Sequence, residues 1–207
     1  MKERLSTGVP VLNRQLGGGI PEGSLIAFVA PAASQSELFL YELTTARNTL
    51  YLTADRTEDA VKDALESTSA PTGDPDIRYV AGDSPLDSAR RLFRKAGEGA
   101  GLVIDPVNPL ERTNVNRYRD FLNDLSNHLT NTGGLGVLHC LEGSNEEART
   151  ITEHMADVVF RLYVDRAGRE IDTQLGVLKY RGGVAPDEMI KLNLEERVEI
   201  DTSRDIA

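Results

Sequence analysis

Short apolar runs that alternate with segments of helical period constrain this chain more than any other feature. Residues 25–29, 49–54, 77–80, 101–105 and 135–141 are each apolar and short enough to be buried strands. Between them lie predicted helices: one behind Ser34, then 57–67 with Ala60, Val61, Ala64 and Leu65 inward, 86–96, and 114–131. The last sets Val115, Tyr118, Leu122, Leu125 and Leu129 at spacings of three and four, which is one face of a helix. Strands joined by helical crossovers pair in parallel, so the expected fold is α/β, a mainly parallel central sheet flanked by helices. Residues 70–76, with two prolines and a glycine, read as a loop. Ser34 with Glu37, and Ser144 with Glu147, are capping-box signatures, the second for a helix carrying Ala148, Ile151 and Met155. From Val158 the style changes to hairpins: a strand over 158–164, a turn over 165–169, then strands over 171–180 and 189–194.

The chain has 207 residues, enough for one well-cored domain over 1–207. Its 33 acidic and 23 basic residues leave a net charge of −10, a balance that repels nucleic acid and anionic membrane from the surface as a whole. Nucleic acid is therefore not the expected partner. A local exception is Arg90, Arg91, Arg94 and Lys95, gathered opposite Leu86, Ala89, Phe93 and Ala96, which reads as a solvated helix face. No apolar run reaches membrane-spanning length and the start, MKERLSTG, has no signal core, so a cytoplasmic protein without membrane contact is expected. The one cysteine, Cys140, reads as a small core residue, and no metal site is expected. The acidic composition is similar to that of proteins from salt-loving archaea.

The segment Ser6-Thr7-Gly8-Val9-Pro10-Val11-Leu12 runs through Gly17-Gly18-Gly19-Ile20-Pro21-Glu22-Gly23-Ser24 into the strand over 25–29. This resembles the KaiC and RadA branch of the RecA superfamily, in which such a stretch precedes the first core strand and a GxxxxGK[ST] phosphate loop. The resemblance covers residues 6 to about 200 and implies a RecA-like P-loop NTPase fold with C-terminal antiparallel strands. Aligned without a gap, Ala30 and Gln35 stand for the two glycines, Ser36 for the lysine and Glu37 for the hydroxyl residue that holds magnesium. Each loss has a physical consequence: glycines let backbone N–H groups close on phosphate, the lysine supplies charge, and the hydroxyl binds the metal. Glu37 would repel phosphate, and Ser34, Gln35, Ser36 and Glu37 form a degenerate phosphate loop.

Other positions follow from the same resemblance. The strand over 49–54 ends in Asp55-Arg56, where the family places a glutamate that polarises the attacking water; Asp55 is a candidate base, one methylene shorter and beside an arginine that would keep it ionised. Asp105 stands at the Walker B position, either orienting a metal or capping the loop over 105–111. His139 or Glu142 stands where a γ-phosphate sensor would be. Leu178-Lys179-Tyr180-Arg181-Gly182 is similar to the family's KxRG signature, whose two cations reach a neighbour's γ-phosphate. Lys179 and Arg181 are two apart on a strand and share a side. The expected function is that of a pseudo-ATPase, with no cofactor, acting as regulator or scaffold for itself or an intact homologue. Two alternatives stand beside it: a genuine ATPase that binds ATP and magnesium through an unconventional loop, using Lys179 or an arginine, and a DNA-binding recombination accessory using the face over 90–95.

Overall fold

The computed structural model describes residues 2–143, 145–167, 170–194 and 198–200. At the start, β1 (Arg4–Leu5) and β2 (Ile20–Pro21) pair antiparallel around α1 (Pro10–Gln15), a ribbon the sequence patterns did not announce. A Cβ at Gly19, whose φ is +120°, would lie 2.2 Å from the Leu5 carbonyl oxygen, so the turn needs glycine there. Arg4 ties the ribbon together by donating to the carbonyls of Leu16 at 3.2 Å and Gly19 at 3.0 Å.

The core strands follow in the expected alternation. They are β3 (Leu25–Ala30), α2 (Ser36–Leu43), β4 (Thr49–Thr53), α3 (Glu58–Ser67), β5 (Asp76–Tyr79), α4 (Pro85–Phe93) and β6 (Gly101–Asp105). Then come α5 (Asn108–Glu111), α6 (Val115–Thr132), β7 (Leu135–Leu141), α7 (Glu146–Met155) and β8 (Val158–Ala167). Last are β9 (Glu170–Tyr180), β10 (Ile190–Leu194) and β11 (Val198–Ile200). One nine-stranded sheet has the order β11-β10-β9-β8-β3-β7-β6-β4-β5. Its strands from β8 to β5 pair in parallel, and β9, β10 and β11 add antiparallel ladders at the other side.

Two apolar layers cover the sheet. On one face Phe39 and Leu40 of α2, with Val61 and Leu65 of α3, pack on Ile26, Phe28, Tyr51, Val103 and Val137. On the other, Leu86, Ala89 and Phe93 of α4 and Tyr118, Leu122, Leu125 and Leu129 of α6 pack on Leu25, Ala27, Leu52, Leu102 and Leu138. The alternation of successive strand residues between the two layers is the period-two rule of a pleated strand buried on both sides. Cys140 lies in the second layer, where burial pushes its thiol above the ordinary range.

Several local expectations are corrected. Ser34 does not cap α2: Gln35 is at the cap position without a side-chain bond, and the Ser34 hydroxyl donates to the Pro31 carbonyl at 2.6 Å instead. Asn145 caps α7, accepting from the N–H groups of Glu147 and Ala148; Ser144 lies outside the described residues. The hairpin ladder pairs Asp165 with Asp172 and Ala167 with Glu170, so the strands run into the stretch read as a turn. Ala60 is exposed rather than inward, because α3 buries only the narrow stripe of Val61 and Leu65. The loop over 105–111 contains the short helix α5, whose Asn108 side chain bonds both the N–H and the carbonyl of Leu141 at 2.9 and 2.8 Å. That clamp holds the C-terminal ends of β6 and β7 side by side.

Candidate functional site

The loop from Pro31 to Gln35 joins β3 to α2 at the C-terminal edge of the parallel strands, next to where the chain reverses direction across the sheet. Every positive φ among the described residues belongs to a glycine, so Ala30, Ala33 and Gln35 hold ordinary backbone conformations. The loop thus does not adopt the left-handed conformations that glycines permit.

Beside it lies a buried polar cluster that sequence reasoning did not assemble. Tyr51, Asp105 and His139 all project to the α2 face, because each has the strand parity of that layer. Tyr51 pairs with Val103 and Val103 with Val137, so the residues two further along β6 and β7, Asp105 and His139, are neighbours. His139 Nδ1 is 2.6 Å from Asp105 Oδ1, and its Nε2 is 3.0 Å from the Ser36 hydroxyl. The other carboxylate oxygen, Oδ2, accepts from the Tyr51 hydroxyl and from Arg56 at 2.8 Å. Ser36, Asp105 and His139 are all at most 3% exposed.

Burial alone would raise the Asp105 carboxyl, but the hydrogen bonds from His139 and Tyr51 and the charges of His139 and Arg56 outweigh it and hold it at about 2. Burial pushes the phenols of Tyr41 and Tyr51 up, so both stay protonated; Tyr51 donates to Asp105 and Tyr41 accepts from Arg56. Burial works against the Arg56 charge, yet Asp105 and Tyr41 more than offset it. Arg56 also donates to the Tyr41 hydroxyl at 3.3 Å and lies 4.0 Å from Glu37. It reaches inward because Thr53 Oγ1 donates to the Arg56 carbonyl at 2.8 Å, tightening the bend after β4. Asp55, on the same bend, is exposed, and the expected pairing of Arg56 with Asp55 gives way to its pairing with Asp105. The Asp105 side chain does not cap the following loop; it turns to the three donors inside. A polar pocket of about 340 Å³, lined by Gln35, Glu37, Tyr41 and Arg56 with residues of α3, opens beside the cluster.

The remaining candidates lie elsewhere. Glu142 is half exposed, 3.9 Å from Arg161. Lys179 donates to the carbonyls of Glu153 at 3.0 Å and His154 at 2.6 Å. Arg181 donates to the same His154 carbonyl at 3.1 Å and to Asp157 at 3.2 Å. Both cations therefore share a side, as their spacing requires, and both sit at the C-terminal end of α7. Of the basic group on α4, Arg90 is held by Asp124 at 3.0 Å, while Arg91, Arg94 and Lys95 are exposed. No described helix is long and apolar enough to cross a membrane.

The parallel sheet with this strand order, flanked by helices and extended by antiparallel strands, is an α/β fold of the kind found in KaiC-like, RecA-type structures. Two solved structures share the fold. A KaiC-like protein, PH0186 from Pyrococcus horikoshii OT3, superposes with a TM-score of 0.75 at 16% identity, over 96% of this chain and 100% of that one. The flagellar accessory protein FlaH from Methanocaldococcus jannaschii superposes with a TM-score of 0.73 at 15% identity, over 98% of this chain and 100% of that one. By sequence, residues 4–207 match the family of unknown function DUF7125, and the chain belongs to that family. No curated protein matches it in sequence.

Proposed function

We propose that this chain is a degenerate member of the KaiC and RadA-like branch: a cytoplasmic regulatory or scaffolding protein that works through protein contacts, with no ATP or magnesium of its own. The observation that carries this reading is the state of Asp105. In an active site of this class that carboxylate faces a metal; here it accepts from Tyr51, Arg56 and His139 at once. A magnesium ion would have to displace the arginine and recover the cost of leaving a half-buried guanidinium without its partner. The place of the phosphate-binding lysine is taken by Ser36, which is bonded to His139, and the loop has no glycine with which to wrap phosphate. The acidic surface fits a protein from a high-salt cytoplasm, where excess carboxylates stay hydrated. The partner is a second copy or an intact homologue, approached through the edge where Lys179 and Arg181 emerge.

Calorimetric titration with Mg-ATP in molar salt tests the first half. The expected result is no saturable binding tighter than roughly 0.1 mM, which is about −5.5 kcal/mol. A tighter constant would overturn the reading in favour of an ATPase with an unconventional loop.

A further inference from the structure

We propose that Ser36 is a nucleophile, activated by His139 and oriented through Asp105, and that it takes acyl or phosphoryl-type electrophiles. This goes beyond the partner role and does not depend on it. The connectivity is that of a serine, histidine and aspartate relay: hydroxyl to Nε2 at 3.0 Å, then Nδ1 to carboxylate at 2.6 Å. Nδ1 faces the ionised carboxylate as donor, so the reacting form is the ring without a proton on Nε2, where Nε2 accepts from the serine hydroxyl. Tyr51 and Arg56 hold Oδ2, so Oδ1 stays aimed at the ring. Phe28, the cross-strand partner of His139, stacks on it with centroids 5.7 Å apart and fixes the ring plane.

The placement is also that of a nucleophile. Ser36 is the first residue of α2, directly after a strand-to-helix turn at the C-terminal edge of a parallel sheet. Ser36 and Glu37 open α2, and the positive potential of a helix start favours an oxyanion developing beside it. The residues on either side of Ser36, Gln35 and Glu37, line a polar pocket of about 340 Å³ together with Tyr41 and Arg56. Ser36 is only 2% exposed, which favours small electrophiles over peptides.

The chemistry balances within these residues and water. Oγ bonds to the carbonyl carbon while its proton passes to Nε2; the tetrahedral adduct collapses, and Nε2–H protonates the leaving alcohol. Water then attacks the acyl-serine, gives its proton to Nε2, and the acid leaves as Oγ recovers that proton. With a dialkyl fluorophosphate the same attack forms an O–P bond and expels fluoride, the serine proton passing to Nε2.

Diisopropyl fluorophosphate, a small probe, tests this on the full chain, with the modified residue located by peptide mass spectrometry. Ser36 is expected to be labelled at least about 100-fold faster than in the His139→Gln variant, the usual scale of general-base catalysis. Ser34, two residues earlier, should stay unlabelled, and labelling of Ser36 should vanish in urea, a control that holds even if the histidine variant does not fold. Asp105→Asn should slow labelling and alter its pH profile, which a purely structural aspartate would not do. No labelling of Ser36 in the folded protein, or equal rates with and without His139, would overturn the assignment. The readout contains no nucleotide, so its outcome is separable from that of the Mg-ATP titration.

Discussion

Arg56 lies 2.8 Å from Asp105, so the carboxylate at the end of β6 already has a cation, delivered from the bend after β4. Asp105 is buried, whereas the arginine side chain is 32% exposed, and the pair is asymmetric in what its loss would do. The arginine can turn to water; the carboxylate cannot.

Arg56→Met should therefore destabilise the protein by about 1 to 3 kcal/mol, below the range for a fully buried pair because solvent screens one partner. Asp105→Asn should cost more than Arg56→Met, since it disturbs Tyr51 and His139 as well. Urea denaturation of wild type, both single variants and the double variant gives the coupling. A double variant as unstable as the sum of the singles would mean the two groups act independently.

Acid should unfold the protein in a particular window. The folded-state value of Asp105 is about 2 against an ordinary 3.8, so its contribution is present above pH 4 and is lost as pH falls toward 2. The amount is about 2 kcal/mol, from the difference in the two values. Unfolding free energies between pH 2 and 6 should show this slope in wild type and lack it in Asp105→Asn. Parallel curves for the two proteins would remove Asp105 from the account.

Writing a phosphate loop into the turn after β3 tests the proposed degeneracy. Ala30→Gly, Ala33→Gly, Gln35→Gly, Ser36→Lys and Glu37→Thr together supply the missing groups, but they leave Arg56 on Asp105 and remove the hydroxyl partner of His139. Calorimetry should show weak or no Mg-ATP binding by this protein, and clear binding only when Arg56→Ala is added. Hydrolysis should stay poor in both, since Asp55 is exposed on the bend.

Lys179 and Arg181 meet at the His154 carbonyl, where cations also favour the C-terminal end of α7. Lys179→Ala with Arg181→Ala should cost about 1 kcal/mol of stability, as expected for partly exposed bonds at a helix end. In a mixture with an intact homologue, wild type should change the homologue's ATPase rate and the double variant should not. Equal rates from both, with association shown separately, would leave the pair as a cap on α7.

What the sequence by itself determined was whatever is written in neighbouring residues. Buried strands need continuous apolar runs and helices need a repeat of three to four, so β3, β4, β6, β7 and the stripe on α6 could be placed before any contact was known. The residues of the turn after β3 were equally plain, since Ala30, Ala33, Gln35 and Ser36 cannot supply the chemistry of glycine or lysine. Caps were less secure: Ser34 satisfied a local pattern, but its hydroxyl found the Pro31 carbonyl closer than the helix. Only the tertiary structure decided who meets Asp105. Tyr51 is 54 residues away, Arg56 is 49 and His139 is 34, while Ser36 and His139 are 103 apart. Those meetings depend on strand order and register, which bring Asp105 and His139 side by side and turn Arg56 inward. Neither quantity is encoded in the spacing of residues along the chain.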